Sequence, residues 1–345
     1  MLAHSVYPSM LSGEGLDNYL SKGYFRMTQS VFTTNFLKFN KTYYSAIWLR
    51  LDLHSFTPTR TQTKLEKQNK KFKVTIKRFK LTPEKELLFY NYRKGVAFEA
   101  SESIQHLLYE DGKCENIFDS FEVNIFDGKK LIAIGIFDVG ANTSAGITCF
   151  YDHEYKKYSL GKYLIYLKIK HCKAIGLRYF YPGYFVPNYT RFDYKLEISD
   201  LGIEYLKLSD NTWNSIDNFN ADQTPLKVMQ TKLKVLQQKL IAKGVNCKMI
   251  NYLYYDATFN ETLLNIDLFD YPVFIYFIDV NKDFVIPNIV YNINIEAYQF
   301  NKCISIWESE NHKNTEGLYA SNLLQVLDII VTNKNEDEIV SFICS

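Results

Sequence analysis

The sequence predicts an α+β fold spread over two or three units, and three observations predict it. The chain has 345 residues, more than one ordinary domain at roughly 150 residues each. Strand patterns joined by the turn signal Asp127-Gly128 lead into a loop, a helix and a further strand, the order of a mainly antiparallel sheet carrying a helix. Hydrophobic residues make 47% and charged residues 23%, a globular composition that excludes wholesale disorder.

Residues 1–80 are expected to form an N-terminal α+β domain. They end in a basic stretch in which Arg60, Lys64, Lys67, Lys70, Lys71, Lys73, Lys77, Arg78 and Lys80 meet only one acidic residue, Glu66. Within 81–205, Glu102 to Tyr109 reads as a helix, and Asp119 to Phe126 and Lys130 to Asp138 as the two arms of a hairpin. Ala145 to Tyr151, rich in β-branched and aromatic residues, is a third strand. A polar loop, Asp152 to Tyr158, then enters a helix with Ser159 as N-cap and Gly176 as its stop. Leu160, Leu164, Leu167 and Ala174/Ile175 supply its apolar positions, and Leu177 to Val186 returns as a strand. Residues 206–345 read as an α/β extension. There Thr224 and Pro225 open a helix whose Leu226, Met229, Leu233, Leu236 and Leu240 form one apolar stripe, too short for a coiled coil.

The net charge of +2 argues against a surface built throughout for nucleic acid, but it hides a segregation. Residues 1–243 hold 35 basic and 24 acidic residues, whereas 244–345 hold 5 Lys and no Arg against 14 acidic residues. The start Met1-Leu2-Ala3-His4 lacks a leader pattern, and the most apolar run, Tyr271 to Val280, is short and meets Asn281-Lys282-Asp283. No membrane partner and a cytoplasmic location are therefore expected. Cys114, Cys149, Cys172, Cys247, Cys303 and Cys344 are scattered without a Cys-x-x-Cys pair, so free thiols in a reducing cytosol are expected, with no metal site. The glycine-rich nucleotide motifs and the HExxH zinc motif are absent.

Two segments carry more. One is Phe150-Tyr151-Asp152-His153-Glu154-Tyr155 followed by Ser159-Leu160-Gly161; the other contains Tyr181-Pro182-Gly183-Tyr184. Together they resemble the C-terminal half of aminoacyl-tRNA–protein transferases, the arginyl and bacterial leucyl kind. Leu20 to Arg26, and Phe56 to Lys64 with Asn69, resemble that family's opening segments. The resemblance spans roughly residues 10–200, with several motifs in order. The sequence departs from it in three ways. Tyr43 and Ala46 stand at two positions of the family's N-terminal cysteine cluster, His153 replaces a proline, and about 140 residues follow where short members end.

The resemblance implies a GNAT-like core and transfer of arginine or leucine from charged tRNA to a protein's N-terminal α-amine, creating a degradation signal. It implies no metal or cofactor in the transfer step. Asp152 and Glu154 are the candidate catalytic groups, able to take the amine's proton or hold an ammonium. Both residues also fit a loop-bracing or solvated role. Ser159, Leu160 and Gly161 at the helix start, with Lys157 beside them, suit a phosphate of the tRNA end. Tyr151, Tyr181 and Tyr184 offer aromatic faces beside Gly183, where a ligand can approach the backbone. Arg60, Lys64, Lys67, Lys70 and Lys71 are expected to track the tRNA phosphates. Two other readings stay open: an N-acyltransferase using an acyl-CoA donor, and a non-catalytic tRNA- or protein-binding module.

Overall fold

A computed structural model describes residues 2–96, 101–109, 115–278, 285–310 and 313–345; Cys114 and residues 279–283, on which expectations were placed, lie outside them. The N-terminal elements are β1 (Ala3–Val6), α1 (Gly13–Ser21), β2 (Phe25–Met27), β3 (Ser30–Thr34), β4 (Phe36–Phe39), β5 (Thr42–Ser45), β6 (Ile47–Asp52), α2 (Arg60–Asn69) and β7 (Lys73–Arg78). Next come α3 (Pro83–Lys94), α4 (Ile104–Leu108), β8 (Ser120–Asp127), β9 (Lys130–Val139), β10 (Thr143–Tyr151), a 3-10 turn at His153–Tyr158, α5 (Leu160–Ala174), β11 (Tyr179–Phe185) and a second 3-10 turn at Thr190–Lys195. The remainder forms β12 (Ile203–Lys207), β13 (Thr212–Ser215), α6 (Pro225–Ala242), β14 (Cys247–Tyr252), β15 (Val273–Phe277), β16 (Val285–Asn292), β17 (Ala297–Glu308), β18 (Leu318–Tyr319), β19 (Asn322–Asn333) and α7 (Glu336–Cys344).

This is a mixed α/β fold organised on two large sheets. The central sheet has eight strands in the order β13-β12-β6-β11-β10-β9-β8-β7. All its pairs are antiparallel except β10–β11. The expected division at residue 80 is therefore corrected, because β6 and β7 belong to the same sheet as β8 to β11. The division at 205 likewise cuts through β12, which pairs with β6. A strand takes its partners from anywhere in the chain to satisfy its N–H and C=O groups, and composition along the chain does not reveal them.

The hairpin forms where the turn signal placed it, with Gly128 at φ 59° between β8 and β9. Helix α5 packs on this sheet through Leu160, Leu164, Ile169 and Cys172. Ala174 and Ile175, expected on its apolar face, are exposed because the helix ends there. Neither Ser159 nor Thr224 caps its helix through the hydroxyl. Ser159 instead takes a left-handed conformation, φ 51° and ψ 43°.

The second sheet runs β18-β14-β15-β16-β17-β19 and is covered by α6, whose Leu226, Met229, Leu233, Leu236 and Leu240 are all buried. It holds the N-terminal segment firmly. Tyr43 Oη donates to the Tyr252 carbonyl at 2.7 Å, the Leu226 N–H donates to Ser45 Oγ at 3.0 Å, and the Leu2 N–H donates to the buried Asp270 carboxylate. Among the described residues no group of His, Cys, Asp and Glu is assembled to hold a metal, and no helix is long and apolar enough to cross a membrane.

Arg26 is the buried link between the N-terminal strands and the central sheet. Its guanidinium donates to Asp138 at 3.0 Å, Ser120 Oγ at 3.0 Å and the Leu108 carbonyl at 2.7 Å, with the side chains of Arg26 and Asp138 only 1% and 0% exposed. Removing one partner strands the other charge in the core. Arg26→Leu is expected to lower the unfolding free energy in urea by about 3–5 kcal/mol; a loss below about 1 kcal/mol would show that Asp138 is not dependent on it.

Candidate active site

Strands β10 and β11 pair in parallel over three positions only, Thr143↔Tyr179, Ser144↔Phe180 and Ala145↔Tyr181. The next residues explain why the ladder stops. Pro182 has no N–H to donate, and Gly183 takes φ 86°. The β11–β6 register shifts between Phe180 and Gly183, and the β10–β9 register shifts between Gly146 and Thr148. A side chain at Gly146 would put its first carbon 2.8 Å from Phe180 Cζ, so only glycine lets that ring lie there.

The split opens a cavity of about 810 Å³. β10 contributes Gly146 to Cys149 and Tyr151, and β11 contributes Pro182, Gly183 and Tyr184. The start and inner face of α5 add Ser159, Gly161, Lys162, Ile165 and Lys168. Trp48, Tyr92, Arg191, Phe192, Tyr194 and Lys195 complete much of the wall. Ten lining residues are aromatic and six are basic, but none is acidic. Arg26 and Lys162 among the six are paired with Asp138 and Glu197. Lys168 and Lys195 are buried, 2% and 8% exposed, and bond to backbone carbonyls. Lys168 Nζ donates to Ile136 at 3.3 Å and Thr148 at 3.4 Å, and Lys195 Nζ donates to Tyr184 at 2.7 Å. Burial pushes the Lys195 ammonium down to about 7, and the charge of Lys168 pushes the same way. The Tyr184 and Tyr194 phenols are raised by burial and stay neutral.

Of the residues read from the sequence, Tyr151, Ser159, Gly161, Gly183 and Tyr184 line this cavity. Five do not. Leu160 is wholly buried in the core beneath α5. Tyr181 is 3% exposed and packs edge-on against Trp213 at 5.6 Å. Lys157 is exposed on the turn, its carbonyl accepting from Gln68. Asp152 and Glu154 also stand outside the lining, both paired with Lys130 at 2.8 and 3.0 Å. Asp152 caps the 3-10 turn by accepting from the Glu154 N–H at 3.0 Å, and Glu154 is 78% exposed. Burial would raise the Asp152 carboxyl, but the bonds from Lys130 and from the Glu154 N–H outweigh it and hold the group below its ordinary value. A carboxylate so stabilised is a weaker base. In this geometry both carboxylates brace the turn through Lys130, outside the cavity lining. His153 is stacked on Tyr92, with its Nε2 2.8 Å from the Tyr92 carbonyl.

The basic stretch divides into α2 and β7. Thr59 and Gln62 close a capping box at the start of α2. Gln62, Leu65 and Asn69 face inward, which leaves Arg60, Lys64, Lys67, Lys70 and Lys71 exposed on the outer face. The end of α2 touches the turn that leads to the cavity: Asn69 donates to the Tyr158 carbonyl at 3.2 Å and Lys71 to Tyr158 Oη at 2.8 Å. The end of α2 thus lies beside the turn whose Lys156 and Ser159 line the cavity. Lys73 and Lys77 lie on β7, the edge of the central sheet, where lysines also discourage strand pairing.

The sequence reading missed Lys168, Arg191, Tyr194 and Lys195. Two signals were present. Lys168 interrupts the apolar stripe of α5 four residues after Leu164 and four before Cys172, and Arg191 to Lys195 is a basic and aromatic cluster just after β11.

Residues 84–204 match the family described as "Arginine-tRNA-protein transferase, C terminus". The aspartate/glutamate leucyltransferase of Leptospira interrogans is 28% identical over 219 residues, covering 62% of this chain and 83% of that protein. Its namesake in Campylobacter jejuni is 25% identical over 156 residues, covering 43% of this chain and 64% of that protein. Among solved structures, L-PGS from Bacillus licheniformis aligns with 52% of this chain and 53% of its own at 12% identity, and its TM-score of 0.32 carries no argument.

A bracing role for Asp152 has a measurable signature. Asp152→Asn is expected to cost less than about 1 kcal/mol at neutral pH, since the pair with Lys130 is partly solvated. Folding lowers this carboxyl, so its contribution exists above the unfolded value and is lost as pH falls through the folded one. The gap between wild type and variant in urea unfolding should close on acidification; a gap that stayed constant down to about pH 2 would contradict the brace.

Proposed function

Because the chain belongs to the aminoacyl-tRNA–protein transferase family, we propose that it moves an apolar amino acid, leucine foremost, from charged tRNA to a protein whose first residue is Asp or Glu. It is an enzyme of the aminoacyltransferase class. The product is an apolar N-terminus, and marking the acceptor for degradation is the purpose we assign to it. The split parallel pair β10–β11 over α5 is read as the GNAT-like core that the resemblance implied. A soluble cytoplasmic setting, with no membrane partner, completes the reading.

One observation carries it: a cavity lined by cations and aromatic rings, free of carboxylates, opens beside an exposed basic helix. The arginine donor expected beside leucine suits this cavity poorly. A guanidinium drawn into it would lose water and find no acid to pair with. An apolar side chain finds rings to pack on. An acidic first residue on the acceptor finds Lys168 or Arg191. The tRNA end would lay phosphates along Lys156, Lys162 and the free N–H groups at the start of α5, with its terminal base against the aromatic wall. Ester to amide is downhill, so the protein has chiefly to position the reactants and to accommodate a proton and an oxyanion.

Labelled leucyl-tRNA and arginyl-tRNA, each incubated with peptides starting in Asp, Glu, Lys or Arg, test this. Label is expected to pass from leucyl-tRNA to the Asp and Glu peptides. Equal transfer of arginine would overturn the donor assignment, and tight tRNA binding with no transfer from either would favour a binding module. The basic face has its own test. Lys70→Glu with Lys71→Glu is expected to weaken tRNA binding at least about tenfold and to lower the slope of log affinity against log salt by about 1–2. An unchanged slope would remove these lysines from the tRNA path.

A further inference from the structure

We infer that Lys195 is a catalytic base: its amine takes the proton from the attacking α-amine and returns it to the departing ribose oxygen. The inference rests on the transfer reaction proposed above and places its proton traffic away from Asp152 and Glu154.

The position of Lys195 carries the argument. It closes the 3-10 turn after β11, lines the cavity and is almost wholly enclosed. Its Nζ donates to the Tyr184 carbonyl at 2.7 Å, while the Tyr184 and Phe192 rings each stand 5.1 Å away. Among the described residues no carboxylate lies within ion-pair distance, so nothing holds the group permanently as an ammonium. Gly183, on the strand beside it, keeps access open: a first side-chain carbon there would sit 3.1 Å from Nζ. Backbone with φ 86° at Gly183 is the conformation that admits glycine most readily, so the opening is built into β11.

The groups around Lys195 agree in sign. Lys168 and Lys162 face the cavity from α5, Tyr184 from β11, Arg191 and Tyr194 from its own turn, and Arg26 from β2. None is an acid. Enclosure first, and the charge of Lys168 second, bring its proton affinity to about 7, beside an N-terminal α-amine that titrates at about 8. At neutral pH a substantial fraction of Lys195 is free amine, the match that favours general base catalysis.

The step balances within the substrates and this one side chain. The lone pair of a neutral α-amine forms a bond to the ester carbonyl carbon, and the carbonyl π pair moves to oxygen. One N–H proton passes to Lys195 Nζ. The carbonyl re-forms, the carbon–oxygen bond to the ribose breaks, and the proton on Nζ goes to the ribose oxygen. One amide and one hydroxyl result, and Lys195 ends as it began.

Single-turnover transfer from labelled leucyl-tRNA to an Asp-starting peptide, measured across pH, tests the assignment with wild type, Lys195→Arg and Lys195→Ala. At saturating peptide the wild-type rate is expected to rise with pH and level off above about 7. Both variants should lose about 10²–10⁴-fold in rate while tRNA affinity stays within about twofold, and small primary amines should restore part of the Lys195→Ala rate. Arginine keeps the charge but cannot give up its proton. Lys195→Arg retaining most of the wild-type rate would therefore overturn the base and leave a fixed cation in its place. A wild-type rate that is flat between about pH 6 and 8 would overturn it without any variant, and so covers the case in which neither variant folds. Wild-type protein that transfers from no charged tRNA would instead overturn the reaction, and with it the role of Lys195.

Discussion

The parallel ladder between β10 and β11 lasts three residue pairs and then ends, and the candidate site exists because it ends. A continuous ladder would place β10 against β11 along their length and leave no opening in the sheet. Proline at 182 removes a donor, and the glycines at 146 and 183 remove side chains on either side of the gap. The two bulges absorb the change in register, so the outer strands remain paired with β9 and β6. Helix α5 connects the two strands, which brings its first turn to the edge of the gap and Lys168 to its floor.

An opening in a sheet exposes backbone and apolar surface together, and this chain lines it in a consistent way. Aromatic rings supply bulk with few rotatable bonds, and cations enter on stems that pack against them. The buried charges differ in how they are held. Arg26 meets a carboxylate and four further acceptors, the arrangement of a structural charge. Lys168 and Lys195 meet carbonyls only, an arrangement that leaves charge unneutralised in a low-dielectric space. Such a space attracts anions, resists bound cations and makes at least one of its amines easy to deprotonate.

The sequence announced what local chemistry decides. Asp127-Gly128 dictates a hairpin, the stripe from Leu226 to Leu240 dictates a buried helix face, and the basic residues of α2 fall on its outer side because Gln62, Leu65 and Asn69 take the inner one. It concealed what distant segments decide. Nothing within residues 47–52 or 73–78 says that they flank β8 to β11. The same blindness governed the site. Asp152 and Glu154 belong to a strand-ending motif that says nothing of Lys130 on the neighbouring strand, which pairs with both. Lys195 looks like a solvated charge until the fold encloses it.

The acidic extension, to which the sequence assigns no role, is coupled to the site through the N-terminal strands. Phe32 on β3 lines the cavity and meets Phe259 of the extension edge-on at 5.7 Å, while Trp48 lines it and donates to the Thr34 carbonyl at 3.0 Å. Tyr7 Oη and Thr258 Oγ1 add bonds across the same junction at 2.8 and 3.0 Å. The extension therefore supports one wall of the cavity from behind. Its charge has a complementary effect. Residues 244–345, with 14 acidic residues against 5 lysines, repel a polyanion, whereas the outer face of α2 attracts one. Two halves of opposite sign narrow the orientations in which a nucleic acid can approach. For the tRNA proposed above, the path that joins the basic face to the gap between β10 and β11 leads from α2 over the turn at Tyr158.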